Sequence, residues 1–133
     1  MNALDASYVA GFLDGDGSIH FQLVRQKEYR FGFYIRSSVS FSQSTSARAG
    51  LEHIQALIGA GYLRDRGTGV SDLVITSRPV LFDLLTEVRP YVIFKREHVR
   101  CALLHCSSCP ELIGSRIRSS SCNEHVKSTL LQP

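Results

Sequence analysis

Asp14-Gly15-Asp16-Gly17 places two carboxylates two residues apart in a stretch with little side-chain bulk. Seven basic residues occupy the same half of the chain: Arg25, Lys27, Arg30, Arg36, Arg48, Arg64 and Arg66. A small acidic pair within basic surroundings suits a divalent cation working on a phosphate. The carboxylate holds the ion, and the basic groups offset the phosphate charge. The same four residues also suit a turn or a calcium loop. An EF-hand would need a downstream Glu ligand, which is missing at that spacing, so a calcium-binding protein is the weaker reading.

A second set of possible ligands lies near the C-terminus. Cys106-x2-Cys109-x12-Cys122-x2-His125 has the spacing of a tetrahedral zinc site. Cysteines also serve as small buried residues. Both readings stay open, and His98 and His105 add further candidates to the assignment. Cys101 follows the apolar spacing of its segment and is expected in the core.

The acidic pair follows a segment from Asp5 to Leu13 that reads as a helix, capped by Asp5, with Tyr8, Val9, Phe12 and Leu13 as its apolar stripe. Ala10 and Gly11 are small enough for another backbone to approach. The helix is expected to break at the acidic pair, where glycine tolerates conformations that other residues avoid. Strict alternation over Ser18–Lys27 and Phe31–Ser42 then predicts a hairpin around residues 26–30. Ile19, Phe21, Leu23, Phe31, Phe33, Ile35, Val39 and Phe41 make one face, interrupted by Ser37. The opposite face is polar.

Thr45 or Ser46 can cap a helix reaching Ile58, ended by Gly59-Ala60-Gly61. Tyr62–Arg66 and Val70–Thr76 predict a second hairpin, with Leu63, Leu73 and Ile75 inward and Arg64, Arg66, Asp72 and Val74 projecting oppositely. Pro79 opens a helix to Val88, and another runs from Lys95 to about Leu104. The periodic part, residues 1–105, forms one α+β domain, and residues 106–133 form a tail of the same domain, helical or zinc-stabilised.

Size and composition agree with one globular domain. The chain has 133 residues, 44% of them hydrophobic, and a net charge of +3. No apolar run approaches the roughly 20 residues of a membrane helix, so no membrane partner is expected. The N-terminus lacks the basic and apolar segments of a secretory signal, and disulfides are correspondingly unexpected.

Tyr8-Val9-Ala10-Gly11-Phe12-Leu13-Asp14-Gly15-Asp16-Gly17 resembles the motif of the LAGLIDADG homing endonucleases. Gly61–Gly67, Val70-Ser71-Asp72 and Pro90–Lys95 are similar to the single-motif, homodimeric members encoded in algal chloroplast introns. The likeness spans about residues 5 to 105. It implies an αββαββα core with an antiparallel saddle-shaped sheet on DNA. It also implies a homodimer through the motif helix, residues 5–14, which would bring the two Asp16 carboxylates together. The implied activity is metal-dependent hydrolysis of double-stranded DNA at a long near-palindromic site. Mg²⁺ would be the cofactor, Mn²⁺ a substitute, and Ca²⁺ would bind without efficient cleavage.

By the same resemblance Asp16 and the Gly15 carbonyl hold the metal, Gln43 orients the water network, and Lys95 stands near the scissile phosphate. DNA contacts are implied for His20, Gln22, Val24, Gln26, Glu28, Tyr29, Tyr34, Arg36, Ser40, Arg64, Arg66, Asp72 and Val74. Asp14 is expected to be a structural residue at the helix end. One position departs from the pattern: Ala47 stands where a basic residue is expected, with Arg48 next to it. A non-cleaving binding module, such as an intron-splicing maturase, is the alternative on the same fold. An intracellular home is expected, in an organelle or in bacterial cytoplasm.

Overall fold

The computed structural model describes residues 1–28 and 32–108. Helix α1 spans Ala3–Asp16, and Asn2 rather than Asp5 caps it, accepting the Asp5 amide at 2.8 Å. The helix also runs through the acidic pair instead of breaking before it. Neither Gly15 nor Gly17 takes a positive φ, so glycine's conformational freedom is not what these positions use. Gly17 ends the helix in ordinary extended backbone, its N–H donating to the Phe12 and Leu13 carbonyls. A Cβ there would stand 2.6 Å from the Leu13 Cα, so close packing requires the glycine.

Strands β1 (Gly17–Arg25) and β2 (Phe33–Ser44) pair antiparallel, with Ile19 opposite Val39 and Gln22 opposite Arg36. A short 3-10 turn, Thr45–Ala47, leads into α2 (Arg48–Ile58). Neither Thr45 nor Ser46 caps α2 with its side chain. Their hydroxyls bond Ser71 and Ser44 instead, at 3.0 and 2.9 Å. Strands β3 (Tyr62–Asp65) and β4 (Val70–Ile75) form the second hairpin. Helices α3 (Arg78–Val88) and α4 (Arg96–Ser108) follow, α4 extending four residues past the expected Leu104.

The sheet order is β1-β2-β4-β3, antiparallel throughout, so the two hairpins join through their second strands. That junction aligns Phe41 with Leu73 and Val39 with Ile75 in the centre of the sheet. All four are buried, against Val9, Ala10 and Leu13 of α1, Leu51 and Ile54 of α2, Leu81 and Leu85 of α3, and Val99 and Ala102 of α4. Phe12 stacks on Phe41 with ring centroids 5.7 Å apart. Burial of this much apolar side chain is the main force holding the helices to one face of the sheet.

Ser37, the polar break in the inward face, meets the buried His105 of α4, Oγ to Nδ1 at 2.9 Å. The two satisfy each other inside the core. Burial holds the His105 pKa below its usual value, helped by the Arg78 charge, although a bond to the Ile35 backbone opposes this. Cys101 and Cys106 are both buried, as packing residues would be. Cys109, Cys122 and His125 lie outside the described residues, as does Tyr29. No helix among the described residues is long and apolar enough to cross a membrane.

Candidate functional site

Helix α1 packs against β1 and β2, runs directly into β1, and presents Asp16 as its last residue. The Asp16 carboxylate is exposed. Gln43, near the end of β2, makes a long contact to it, Nε2 to Oδ2 at 3.4 Å. The Gln43 Oε1 accepts the Ser44 amide at 3.0 Å, which orients the side-chain amide with its NH₂ toward Asp16. Lys95 reaches the same helix end from the turn before α4, its Nζ donating to the Asp14 carbonyl at 2.8 Å. Three residues distant in sequence are thus gathered at one helix terminus.

The donor set suits a hard cation. Gly15 lies in the last turn of α1, whose final carbonyls have no partner within the helix and carry the negative end of its dipole. With the exposed Asp16 carboxylate, that carbonyl offers two oxygens. Among the described residues no group of three or more His, Cys, Asp or Glu gathers that could hold a metal. One chain therefore offers a partial oxygen shell of the kind that suits Mg²⁺ retaining several waters.

Asp14 plays a different part. Its carboxylate accepts the backbone amides of Ile93, Phe94 and Lys95 at 2.6, 3.2 and 3.0 Å. Burial opposes its ionisation, but these three bonds and the Lys95 charge outweigh it and hold the pKa below the usual carboxylate value. The residue is structural, as expected, but what it holds is the turn leading into α4, some 80 residues away in sequence.

The outer face of the sheet carries most of the residues expected on DNA. His20, Gln22, Arg36, Arg64 and Arg66 are exposed there or in the adjoining turns, as is Glu28 in the hairpin loop. Val24, Gln26 and Tyr34 are half-buried, and Arg36 donates to the Tyr34 hydroxyl at 3.2 Å. Ser40 is enclosed beside His20, which bonds its hydroxyl at 3.1 Å. Asp72 and Val74 point the same way but are buried. The Asp72 carboxylate accepts Ser42 Oγ at 2.6 Å, Arg64 Nη2 at 3.0 Å, and both Nε and Nη2 of Arg66, at 2.5 and 2.9 Å.

Arg48, next to Ala47, is engaged in ion pairs. Its guanidinium is held by Asp65 at 2.6 Å and lies 3.4 Å from Glu52. Asp65 itself is tied down by Ser71, which donates to it at 2.6 Å.

Sequence reasoning missed one surface. Leu4, Tyr8, Gly11 and Gly15 recur at helical spacing on the exposed side of α1, with Leu4 83% and Tyr8 57% accessible. Ala10, expected to face outward, is fully buried in the chain's own core, because the inward stripe is Ala6, Val9, Ala10 and Leu13. The intervals 4, 8, 11 and 15 could have shown the second stripe.

A four-stranded antiparallel sheet with helices packed on one face and an exposed acidic helix terminus defines a class of α+β proteins. The LAGLIDADG endonuclease family model matches residues 9–91, and the chain belongs to that family. It is 35% identical over 96 residues to DNA endonuclease I-CreI of Chlamydomonas reinhardtii, covering 72% of this chain and 58% of that protein. It is 32% identical over 100 residues to DNA endonuclease I-CvuI of Chlorella vulgaris, covering 75% and 62%. The chain thus spans about three fifths of the length of the curated relatives it matches. Among solved structures, I-CvuI in complex with its target in the presence of 2 mM Ca superposes with a TM-score of 0.75 at 24% identity, covering 94% of this chain and 92% of that one. I-CvuI on the I-CreI target in the presence of 2 mM Mg, with the DNA not cleaved, gives 0.74 at 25% identity, covering 94% of each.

Proposed function

We propose that two copies of this chain form a site-specific endonuclease that hydrolyses double-stranded DNA at a long near-palindromic target. The observation that carries this reading is the gathering of Asp16, Gln43 and Lys95 at the end of α1, the helix whose opposite side exposes Leu4, Tyr8, Gly11 and Gly15. Pairing of two such helices covers the apolar stripe and sets two Asp16 side chains side by side. Isologous pairing makes the preferred target near-palindromic.

Asp16 and the Gly15 carbonyl would hold a Mg²⁺ ion, which when bound would supply charge to offset the phosphodiester's own and lower the pKa of a coordinated water. Gln43 fixes the carboxylate through its side-chain amide and orients water with the same group. Lys95 keeps one N–H on the Asp14 carbonyl and has two more for the scissile phosphate, where they stabilise developing charge. Mn²⁺ substitutes for Mg²⁺, and Ca²⁺ supports binding more than cleavage. The polar face of the sheet reads bases in the major groove, Arg36, Arg64 and Arg66 being suited to guanine. Such a substrate places the protein inside the cell, in an organelle or bacterial cytoplasm.

Ala47, with Arg48 committed to Asp65, favours the alternative of a binding module that does not cut, such as an intron-splicing maturase. One experiment separates the two: selection of cleaved sites from a randomised palindromic DNA library with Mg²⁺. Cleavage by the wild-type chain, abolished by Asp16→Asn with binding retained, supports the endonuclease. Metal-dependent nicking by the purified Asp16→Asn variant would remove Asp16 from the mechanism.

A further inference from the structure

We propose that Asp14 is a positioning residue that sets where the Lys95 ammonium stands relative to Asp16, an inference that rests on the endonuclease reading for its consequence in catalysis. Four hydrogen bonds tie this one residue to a single turn. The Asp14 carboxylate takes three consecutive amides, those of Ile93, Phe94 and Lys95. The Lys95 ammonium returns a fourth bond to the Asp14 carbonyl at 2.8 Å.

Each half of the exchange satisfies backbone groups that no helix ladder serves. The amides of Ile93, Phe94 and Lys95 lie in the turn just before α4 and so take no part in its ladder, and a carboxylate there also meets the positive end of that helix's dipole. The carbonyls that close α1 are equally unpartnered, and an ammonium there meets the negative end. The end of α1 and the turn leading into α4 therefore hold each other. Residues 93 and 94 gain no burial from this turn: Ile93 is 65% and Phe94 84% exposed. The turn is fixed by Asp14 rather than by packing of those side chains.

The geometry extends to Asp16 without a flexible joint. Asp16 is two residues on in the same helix, and Gly17 closes that helix by packing directly on the Leu13 backbone. One residue thus references both the cation and the metal-binding carboxylate to the same helical turn. The Asp14 carboxylate is already engaged at both oxygens, which sets its role apart from metal binding.

The test uses the full chain carrying Asp14→Asn, whose NH₂ cannot accept the amides it faces. Two readouts are taken: amide hydrogen exchange at Ile93, Phe94 and Lys95, and single-turnover DNA cleavage in Mg²⁺ with binding measured in Ca²⁺. The expected result is exchange accelerated about tenfold or more at those three amides, with amides of β2 and β4 unchanged. Cleavage should fall on the order of tenfold to a hundredfold, with binding largely retained. Added to Lys95→Ala, Asp14→Asn should produce little further loss, because it acts through Lys95.

Unchanged exchange at the three amides overturns the proposal, and so do losses that multiply in the double variant. Rescue of Asp14→Asn by raised Mg²⁺ overturns it too, by marking Asp14 as a ligand. If the neutral variant does not fold, Asp14→Glu carries the same readouts, and wild-type behaviour in both counts against the proposal. If the wild-type chain cuts no DNA, the endonuclease reading falls, and the exchange pattern alone decides whether Asp14 holds the turn.

Discussion

Asp72 grips Arg66 side-on: the carboxylate takes both Nε and Nη2, is itself closed to solvent, and leaves the arginine side chain about half exposed. This fixes the guanidinium plane and leaves its other edge, one hydrogen each on Nη1 and Nη2, outside the bond to Asp72. Such an edge matches the O6 and N7 acceptors of guanine. Arg64 meets the same carboxylate through a single nitrogen and is less constrained. Arg66→Ala should therefore weaken DNA binding by about 1–3 kcal/mol and relax preference at one base pair per half-site. Asp72→Asn should relax the same position while losing less affinity, since Arg66 remains but is no longer aimed. Competition binding across single-base target variants checks both, and a uniform loss over all variants would make Arg66 a phosphate contact instead.

The same cluster predicts how stability responds to acid. Burial by itself would raise the Asp72 pKa, but bonds from Arg66, Ser42 and Arg64 outweigh it and lower the pKa from 3.8 to about 2. A depressed carboxylate stabilises the fold above its unfolded pKa and loses that contribution as pH falls through the folded one. The contribution is on the order of 1–2 kcal/mol, reduced by solvent around the half-exposed arginines. It should be complete above pH 3.8 and vanish toward pH 2. Urea unfolding of wild type and Asp72→Asn should show a stability gap at neutral pH that closes across this window. A gap independent of pH would mean that the ion pairs contribute little.

What the sequence discloses and what it hides differ in kind at particular residues. Alternation located both hairpins and their inward faces, because a strand's period of two follows from its backbone. It could not tell that Asp72, correctly turned outward, is sealed by two arginines, since alternation gives direction and not cover. Ser37 looked like a defect in an apolar face because its partner, His105, is 68 residues away. The end of α1 was misplaced because the glycines beside the acidic pair suggested a break. One of them fits inside the helix and the other answers a steric demand from Leu13. Asp16 stood out within its acidic pair, whereas its candidate partners Gln43 and Lys95 were legible through family resemblance alone, because no local pattern joins residues so far apart in sequence.

The Ser37–His105 pair sets a second limit on stability, at milder pH. Ser37→Ala removes a hydrogen-bond partner from a buried imidazole, and the expected cost is about 1–3 kcal/mol. The His105 pKa is held below its ordinary value of 6.5 by burial. A base whose folded pKa lies below its unfolded one stabilises the fold above the unfolded value, and the contribution is lost as pH falls below it. Wild-type melting temperature should therefore begin to drop below about pH 6.5, and replacing His105 by a neutral Gln should flatten that part of the profile. A profile level down to the carboxylate range would assign no role to His105 protonation.

Gly11 and Gly15 are harder to account for within one chain. Both lie inside α1, and a Cβ at either would meet nothing within 4 Å. Glycine in a helix interior costs roughly 0.5–1 kcal/mol relative to alanine, so the isolated fold would be better off without them. Their place beside Leu4 and Tyr8 on the exposed stripe suggests that the open space is needed by another helix, which small residues allow to approach closely. Gly11→Ala should thus stabilise the separated chain by a few tenths of a kcal/mol to about 1 kcal/mol while weakening self-association. Gly11→Leu should weaken it further without unfolding the chain. Sedimentation equilibrium together with unfolding at several protein concentrations resolves the two effects. If both variants associate as tightly as the wild type, the outer side of α1 is not where two chains meet, and the pairing of Asp16 side chains must be sought on another face.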